Sequence, residues 1–212
     1  MRTELRAVLL ALLPAVAQAG SLELTVRGDH APLADAVVVA VPLDAPAPAP
    51  VPGELAIDQI DKEFVSRVTI VPLGSRVKFP NHDQIRHQVY SFSPAKRFEL
   101  PLYAGTPANP IEFDMPGVVA LGCNIHDWML GYVYVAPTPW FAKSGNDGRA
   151  RIDGVPAGRY RLQIWHPRLV GATETTREVT VGDGPANEAI ELELKPGFKP
   201  RRAPVPGIAG YR

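Results

Sequence analysis

Cysteine is nearly missing from this sequence: its 212 residues include one, Cys123, so no disulfide can form within the chain. A surplus of either charge is missing too, because 22 basic residues balance 22 acidic ones, which argues against bulk affinity for nucleic acid or for a membrane surface. Long apolar runs are lacking after the first few residues, so no membrane span is predicted. Apolar stripes at helical spacing are also lacking, and we expect no helix of more than a turn or two.

The first segment has the pattern of an export signal. Arg2 and Arg6 precede an apolar stretch from Ala7 to Leu13, and the following Ala17-Gln18-Ala19 fits a signal-peptidase site. The apolar stretch is well short of the roughly 20 residues that a membrane-spanning helix needs. We therefore predict that residues 1–19 are a signal peptide and that the mature protein is located in the periplasm.

What the sequence does have is many short apolar segments separated by turns. Its 23 prolines and 18 glycines divide runs that alternate in polarity or are rich in valine. These runs include "LELTV", "AVVVAV", "RVTIV", "RVKF", "HQVYSF", "VVAL", "YVYV", "YRLQIW" and "IELEL". Short strands at this spacing predict an all-β chain made of antiparallel sandwiches.

A proline-rich stretch divides the chain. Residues 44–54 are predicted to be a semi-rigid spacer of polyproline type. Residues 55–136 are predicted to form one sandwich domain, and residues 137–195 belong to another. The first strands of that second sandwich are predicted in residues 20–43. Residues 196–212 are basic and rich in proline and glycine, and we expect a loosely docked or disordered tail.

Soft metal ligands cluster in "GCNIHDWMLGY", residues 122–132. His126 follows Cys123 by three places, and Met129 follows His126 by three more. The upstream strand "RHQVYSF" supplies His87, which reaches Cys123 only if the two strands lie side by side. Two imidazoles, a thiolate and a weak thioether suit copper that cycles between two oxidation states. We therefore predict one copper ion bound by these four side chains.

Other interpretations of the polar residues stay open. Cys123 by itself is often no more than a small buried apolar residue. Zinc also accepts cysteine and histidine, and it could recruit Asp127 or His82 as a fourth ligand. His82 and Asp83 lie in the turn before the histidine-bearing strand. For this turn we favour a polar turn in which Asn81 and Asp83 bond their own backbone.

The strand-borne histidine followed by Cys-x2-His-x2-Met resembles the cupredoxins. Residues 57–136, with "FPNHDQIRHQVYSFSPAKRFELPLY" and "LGCNIHDWMLGYVYV", resemble the amicyanin-like and plastocyanin-like proteins often labelled methylamine utilisation proteins. This resemblance implies a Greek-key β-sandwich, a type 1 copper ion and one-electron transfer with redox partner proteins. Its copper ligands would be His87, Cys123, His126 and Met129.

Two positions differ from amicyanin. Gln88 stands where asparagine follows the first histidine and helps to tie the ligand loops together, so that tie is in question here. Ile125 stands where proline precedes the second histidine, and its N–H could bond the Cys123 sulfur. In cupredoxins the second histidine emerges through an apolar patch that docks redox partners. Trp128 is a candidate for such a patch, with plain core packing as the alternative.

The C-terminal "NDGRARIDGVPAGRYRLQIWHP" resembles the second half of a transthyretin-like or carboxypeptidase-regulatory sandwich, and "LELTVRGDHAPLADAVVVAV" (22–41) resembles the first half. The resemblance implies one split sandwich, in which residues 20–43 pair with residues 137–195 and the copper domain is inserted between them. Independent terminal segments are the alternative. We interpret His166 as a structural residue packed beside Trp165.

The expected function is that of an electron carrier with unidentified redox partners. An enzyme is not expected, because four protein ligands leave no open position for a substrate on the metal. The chain's five histidines also do not cluster as a second metal centre requires. The alternative is a periplasmic copper storage, delivery or sensing protein. A third possibility is a surface-interaction protein in which copper is secondary.

Overall fold

The structure is a computed structural model that describes residues 19–171 and 174–197. Every regular element in that part of the chain is a β-strand, which confirms the predicted all-β class. Apart from residue 19, the predicted signal peptide lies outside the described residues, as does the predicted tail beyond residue 197. Within the described ranges, no helix is long and apolar enough to cross a membrane.

The eighteen strands of the described residues are numbered in chain order. They are β1 (Ala19–Gly28), β2 (Ala31–Pro32), β3 (Val37–Pro42), β4 (Glu54–Ala56), β5 (Asp58–Ile60), β6 (Glu63–Val65), β7 (Val68–Pro72), β8 (Ser75–Lys78), β9 (His87–Ser93), β10 (Lys96–Tyr103), β11 (Ile111–Phe113), β12 (Gly117–Gly122), β13 (Leu130–Ala136), β14 (Phe141–Lys143), β15 (Arg149–Pro156), β16 (Gly158–Trp165), β17 (Thr175–Val181) and β18 (Pro185–Leu192).

The two ends of the described chain contribute strands to the same sheets. One sheet has the order β15-β1-β18 with β2 paired to β1, and the other has the order β14-β3-β16-β17. β1 is antiparallel to β15 and parallel to β18. Alternate residues of these strands, among them Leu22, Ile152 and Leu162, fill one apolar core. In the sequence, the strands β4 to β13 lie between β1–β3 and β14–β18, the strands that form these two sheets.

The middle of the chain forms separate sheets around its own core. Their orders are β10-β9-β12-β13-β7 and β11-β8-β4, with the hairpin β5-β6 beside them. Phe79, Phe113 and Val133 are among the fully buried residues of this core. Cys123 and Met129 belong to the same buried cluster. The candidate metal ligands therefore lie at the edge of a packed apolar core.

A third core joins the two sandwiches. In β3, Val38 faces the core formed by the strands from the two chain ends, whereas Val37 and Val39 face a cluster that also contains Tyr134 of β13 and Trp165 of β16. Strands that are buried on both faces read as continuous apolar runs, which accounts for "AVVVAV" and "VYVA". Tyr134 also donates a hydrogen bond across this interface to Glu174, at 2.5 Å.

The predicted spacer forms no strand over residues 44–53, and β4 begins at Glu54. It is exposed except at Pro50. Gly53, the last residue before β4, is held by β8, because the Gly53 N–H donates to Ser75 Oγ and the Gly53 carbonyl accepts from the Arg76 N–H. The spacer thus runs along the surface from β3 to β4, the first strand of the sheets in the middle of the chain.

Candidate metal centre

Two neighbouring strands bring His87 and Cys123 together. His87 is the first residue of β9, and Cys123 directly follows the last residue of β12. β9 and β12 are antiparallel, with Gly122 opposite Tyr90. Because the two strands run in opposite directions, the residues after Gly122 lie alongside the start of β9. This pairing explains how two residues 36 positions apart in the sequence come into contact.

The ligand loop, residues 123–129, connects two strands that pair directly. Gly122 of β12 is opposite Leu130 of β13, so both ends of the loop are held by one hairpin. Inside the loop, the Met129 N–H donates to the His126 carbonyl at 2.9 Å. The paired ends and this internal turn restrict the backbone conformations of the loop.

The thiol and the two imidazoles converge. Cys123 Sγ lies 3.9 Å from His87 Nδ1 and 3.9 Å from His126 Nδ1. The ligand atoms of the three residues all lie within 4.8 Å of one another, and all three residues are buried. His87 is inaccessible to solvent, while His126 keeps 8% of its surface exposed. One edge of the cluster is therefore close to solvent.

These separations fit a metal ion bound between the three residues. Metal–nitrogen bonds of about 2.0 Å and metal–sulfur bonds of about 2.3 Å place the two ligand atoms about 3.7 Å apart in a trigonal site and about 3.5 Å apart in a tetrahedral one. The observed 3.9 Å is slightly longer than both values and leaves room for an ion in either geometry. Two imidazoles and one thiolate in a trigonal arrangement are the ligands of blue-copper sites.

Met129, the fourth predicted ligand, is 1% exposed and belongs to the same buried cluster as Cys123. A thioether is a weak ligand, and in trigonal copper sites it binds at a long axial distance. Its burial at the end of the ligand loop is compatible with that role.

Asp83 has a role that the sequence did not indicate. Its Oδ2 atom accepts a hydrogen bond of 2.7 Å from His87 Nε2, on the side of the ring opposite to Cys123. It also bonds the backbone of Asp61 and Lys62 rather than that of its own turn. The predicted polar turn is thus correct for Asn81, whose Oδ1 accepts from the Asp83 N–H, and wrong for the Asp83 carboxylate.

The contact with Asp83 determines which nitrogen carries the proton when the His87 ring is neutral. Burial raises the pKa of the Asp83 carboxyl, but hydrogen bonds from the Lys62 N–H, from His87 and from the Asp61 N–H outweigh burial and lower it below the ordinary value. An ionised carboxylate only accepts, so the proton of a neutral His87 ring must be on Nε2. The lone pair of Nδ1 is then free and directed toward Cys123, as metal binding requires.

His126 is supported from its outer side. Its ring packs against Trp128, with the ring centroids 5.0 Å apart. The pKa of His126 is lowered, mainly by burial and to a smaller extent by the nearby His87. A lowered pKa favours the neutral imidazole that binds metals. Ile125 is 48% exposed beside it. A hydrogen bond from its N–H to the Cys123 sulfur stays a prediction.

A network of side-chain hydrogen bonds stabilises the turn that precedes His87. Asn81 Nδ2 donates to the carbonyls of Ile85 and Tyr103, at 2.9 and 3.0 Å. The Tyr103 hydroxyl donates to the Phe79 carbonyl, and burial raises the pKa of Tyr103 to about 12. Tyr103 of β10 is opposite His87 in β9. These hydrogen bonds therefore connect the turn to β10, the strand that pairs with β9 at His87.

The remaining candidate residues lie apart from the cluster. Gln88 Nε2 donates to Glu99 of β10 at 2.5 Å, so its side chain is tied to the neighbouring strand. His82 bonds Asp58 at 3.1 Å and is more than half exposed. Among the described residues, the one group of metal-binding side chains is formed by His87, Cys123 and His126, and it includes neither His82 nor Asp127.

One family model matches residues 132–189, less than half of the chain; its description is polysaccharide lyase family 4, domain II. The matched segment begins in β13 and continues through most of the C-terminal strands. A search of curated proteins finds no match. The transthyretin-like assignment of the split sandwich stays a prediction.

Several solved cupredoxin structures align with the chain. A copper-containing nitrite reductase from Thermus scotoductus SA-01 is 25% identical, with a TM-score of 0.36, over 45% of this chain and 25% of its own length. A purple cupredoxin from Nitrosopumilus maritimus is 22% identical, with a TM-score of 0.33, over 40% of this chain and 99% of its own. A reduced Cu(I) amicyanin variant is 20% identical, with a TM-score of 0.35, over 46% and 97%.

Proposed function

We propose that this protein binds one copper ion through His87, Cys123 and His126, with Met129 as a weak axial ligand, and carries single electrons between redox partner proteins in the periplasm. The observation that carries this proposal is the convergence of two imidazole Nδ1 atoms on one buried sulfur, each at 3.9 Å. When bound, copper would supply a one-electron couple between Cu(II) and Cu(I).

The chain's contribution is to keep the ligands nearly still while the charge at the site changes. Both ends of the ligand loop are held by paired strands, and His87 is held by Asp83 on the far side of its ring. Burial excludes water from the thiolate. A site that needs little rearrangement between its two charge states favours rapid electron transfer, and the edge of His126 provides the closest approach for a partner.

Catalysis is not part of the proposal. Four protein ligands would fill the site, so no position is left for a substrate to bind the metal. The described residues also offer no second group of convergent metal ligands. The partners are proposed only by class, as proteins that donate or accept one electron.

The proposal is tested by adding Cu(II) to the purified full chain and recording the visible and electron paramagnetic resonance spectra. We expect an intense thiolate-to-copper absorption band that saturates at one equivalent of copper. Cys123→Ser should abolish the band, whereas His82→Ala, which alters an exposed histidine outside the cluster, should retain it. Absence of the band in the unaltered protein would overturn the proposal.

A second measurement separates an electron carrier from a storage or delivery protein. A carrier should show a reversible one-electron reduction and fast electron self-exchange between the two oxidation states, measured by NMR line broadening. Colourless Cu(I) that exchanges readily with a competing chelator, without reversible reduction, would instead favour storage or delivery.

A further inference from the structure

We propose that Asp83 is a positioning residue for the copper ligand His87 and that its carboxylate lowers the reduction potential of the site by favouring Cu(II). This inference rests on the proposed function. It concerns a side chain four residues before the ligand that contacts His87 but is not itself one of the converging metal-binding side chains.

The partly buried carboxylate of Asp83 connects two segments of the chain. Its Oδ1 atom accepts the Asp61 N–H at 2.7 Å, and its Oδ2 atom accepts the Lys62 N–H at 2.8 Å and His87 Nε2 at 2.7 Å. The side chain is 13% exposed. Asp61 and Lys62 form the turn of the β5-β6 hairpin, and both have positive φ angles, 55° and 62°. The three donors reach the carboxylate from two separate segments of the chain.

The local turn does not need this carboxylate. Asn81 already closes the turn, because its side chain accepts the Asp83 N–H and donates to the carbonyls of Ile85 and Tyr103. The Asp83 oxygens are therefore left for the hairpin and for His87. A charge placed in a protected position, on the outer N–H of a metal ligand, is the arrangement by which outer groups orient histidine ligands and raise their basicity.

The expected effect on the metal follows from charge. A carboxylate that accepts the Nε2 proton gives the His87 ring partial imidazolate character and makes Nδ1 a stronger donor. A stronger donor stabilises Cu(II) more than Cu(I), because the ion of higher charge gains more from added electron density. Hydrogen bonding at Nε2 also fixes the rotation of the ring, so the same contact both positions and tunes the ligand.

The test compares Asp83→Asn with Asp58→Asn in the full chain loaded with copper. Both variants remove one negative charge, but Asp58 bonds the exposed His82, outside the metal cluster. Asparagine at position 83 keeps one oxygen, which can accept from His87 Nε2 and the Lys62 N–H without the negative charge, while its NH2 group replaces the oxygen that accepts the Asp61 N–H. We expect Asp83→Asn to weaken Cu(II) binding relative to Cu(I) binding about tenfold, at the lower end of outer-ligand effects. This ratio corresponds to a rise of about 59 mV in reduction potential.

A purely structural role would give a different result. It would weaken the binding of both oxidation states or lower the stability of the fold, with the reduction potential unchanged. Equal potentials for the Asp83→Asn variant and the Asp58→Asn control would overturn the inference. If the unaltered protein itself shows no thiolate-to-copper band, the proposed function fails first, and this outcome is distinct.

If Asp83→Asn does not fold, the contact between Asp83 and His87 can be tested on the unaltered protein. In the Cu(I) form, NMR of nitrogen-labelled histidine should show His87 protonated on Nε2, with a proton that is shifted downfield and slow to exchange. A His87 Nε2 proton that exchanges as fast as that of the exposed His82 would contradict the contact with Asp83.

Discussion

We predict that the stability of the fold depends on pH through His166. It directly follows β16, is 8% exposed, and accepts the Arg168 N–H at Nδ1 over 3.2 Å. Protonation of Nδ1 would turn this acceptor into a second donor facing the same N–H. Burial, and then the positive charge of Arg168, lower the pKa of His166 from 6.5 to about 4, although Asp35 opposes them.

The sign and size of the effect follow from this lowered pKa. Between pH 6.5 and pH 4 the unfolded chain binds a proton at His166 that the folded protein does not. The free energy of unfolding therefore falls as the pH drops from 6.5 toward 4, and this contribution is fully present above pH 6.5. A difference of about 2.5 pKa units corresponds to about 3 kcal/mol.

The assay is urea unfolding of the metal-free protein and of His166→Asn, with a reductant present, at several pH values across this window. Asparagine keeps an acceptor for the Arg168 N–H but does not titrate. We expect the wild-type protein to lose about 3 kcal/mol more than the variant on going from pH 6.5 to pH 4. Parallel curves for the two proteins would refute the reasoning, since all other titrating groups are common to both.

Three further predictions test the packing around the site and between the sandwiches. Gly122→Ala would place a Cβ atom 2.7 Å from Tyr90 Cζ, so we expect a loss of about 1–3 kcal/mol in urea unfolding; an unchanged midpoint would contradict that close approach. Tyr134→Phe removes a buried hydrogen bond to Glu174 and should cost about 2 kcal/mol in the same assay, whereas no loss would mean that the interface does without it. Proteolytic cleavage within residues 44–53 should leave two pieces that co-elute in gel filtration, because β1 and β3 are inner strands of their sheets; release of the N-terminal piece from a folded remainder would contradict that pairing.

Local sequence patterns predicted much of the fold because most strands carry their own signal. The alternating or valine-rich runs at β7, β9, β12 and β16 are strands in the structure. β10 was not predicted, since Pro101 interrupts "KRFELPLY". The structure places β10 at the edge of its sheet, where the missing N–H of proline is tolerated.

The convergence of His87, Cys123 and His126 could be expected from the spacing of these residues in the sequence, whereas their role as ligands, and that of Met129, stays a prediction. Cys123, His126 and Met129 lie on one short loop, and a strand-borne histidine completes the group. Asp83 could not be assigned in this way. Its partners at Asp61 and Lys62 lie more than twenty positions upstream, in a hairpin whose approach depends on the tertiary fold. The third core was missed because a run such as "AVVVAV" does not reveal what covers its second face.

The central claim is that His87, Cys123 and His126 bind one copper ion together. X-ray absorption at the copper edge, on the full chain with one equivalent of bound Cu(II), tests it most directly. We predict one short copper–sulfur distance and two imidazole nitrogens, with the sulfur lost in Cys123→Ser. A copper ion surrounded only by nitrogen and oxygen in the unaltered protein would contradict the claim.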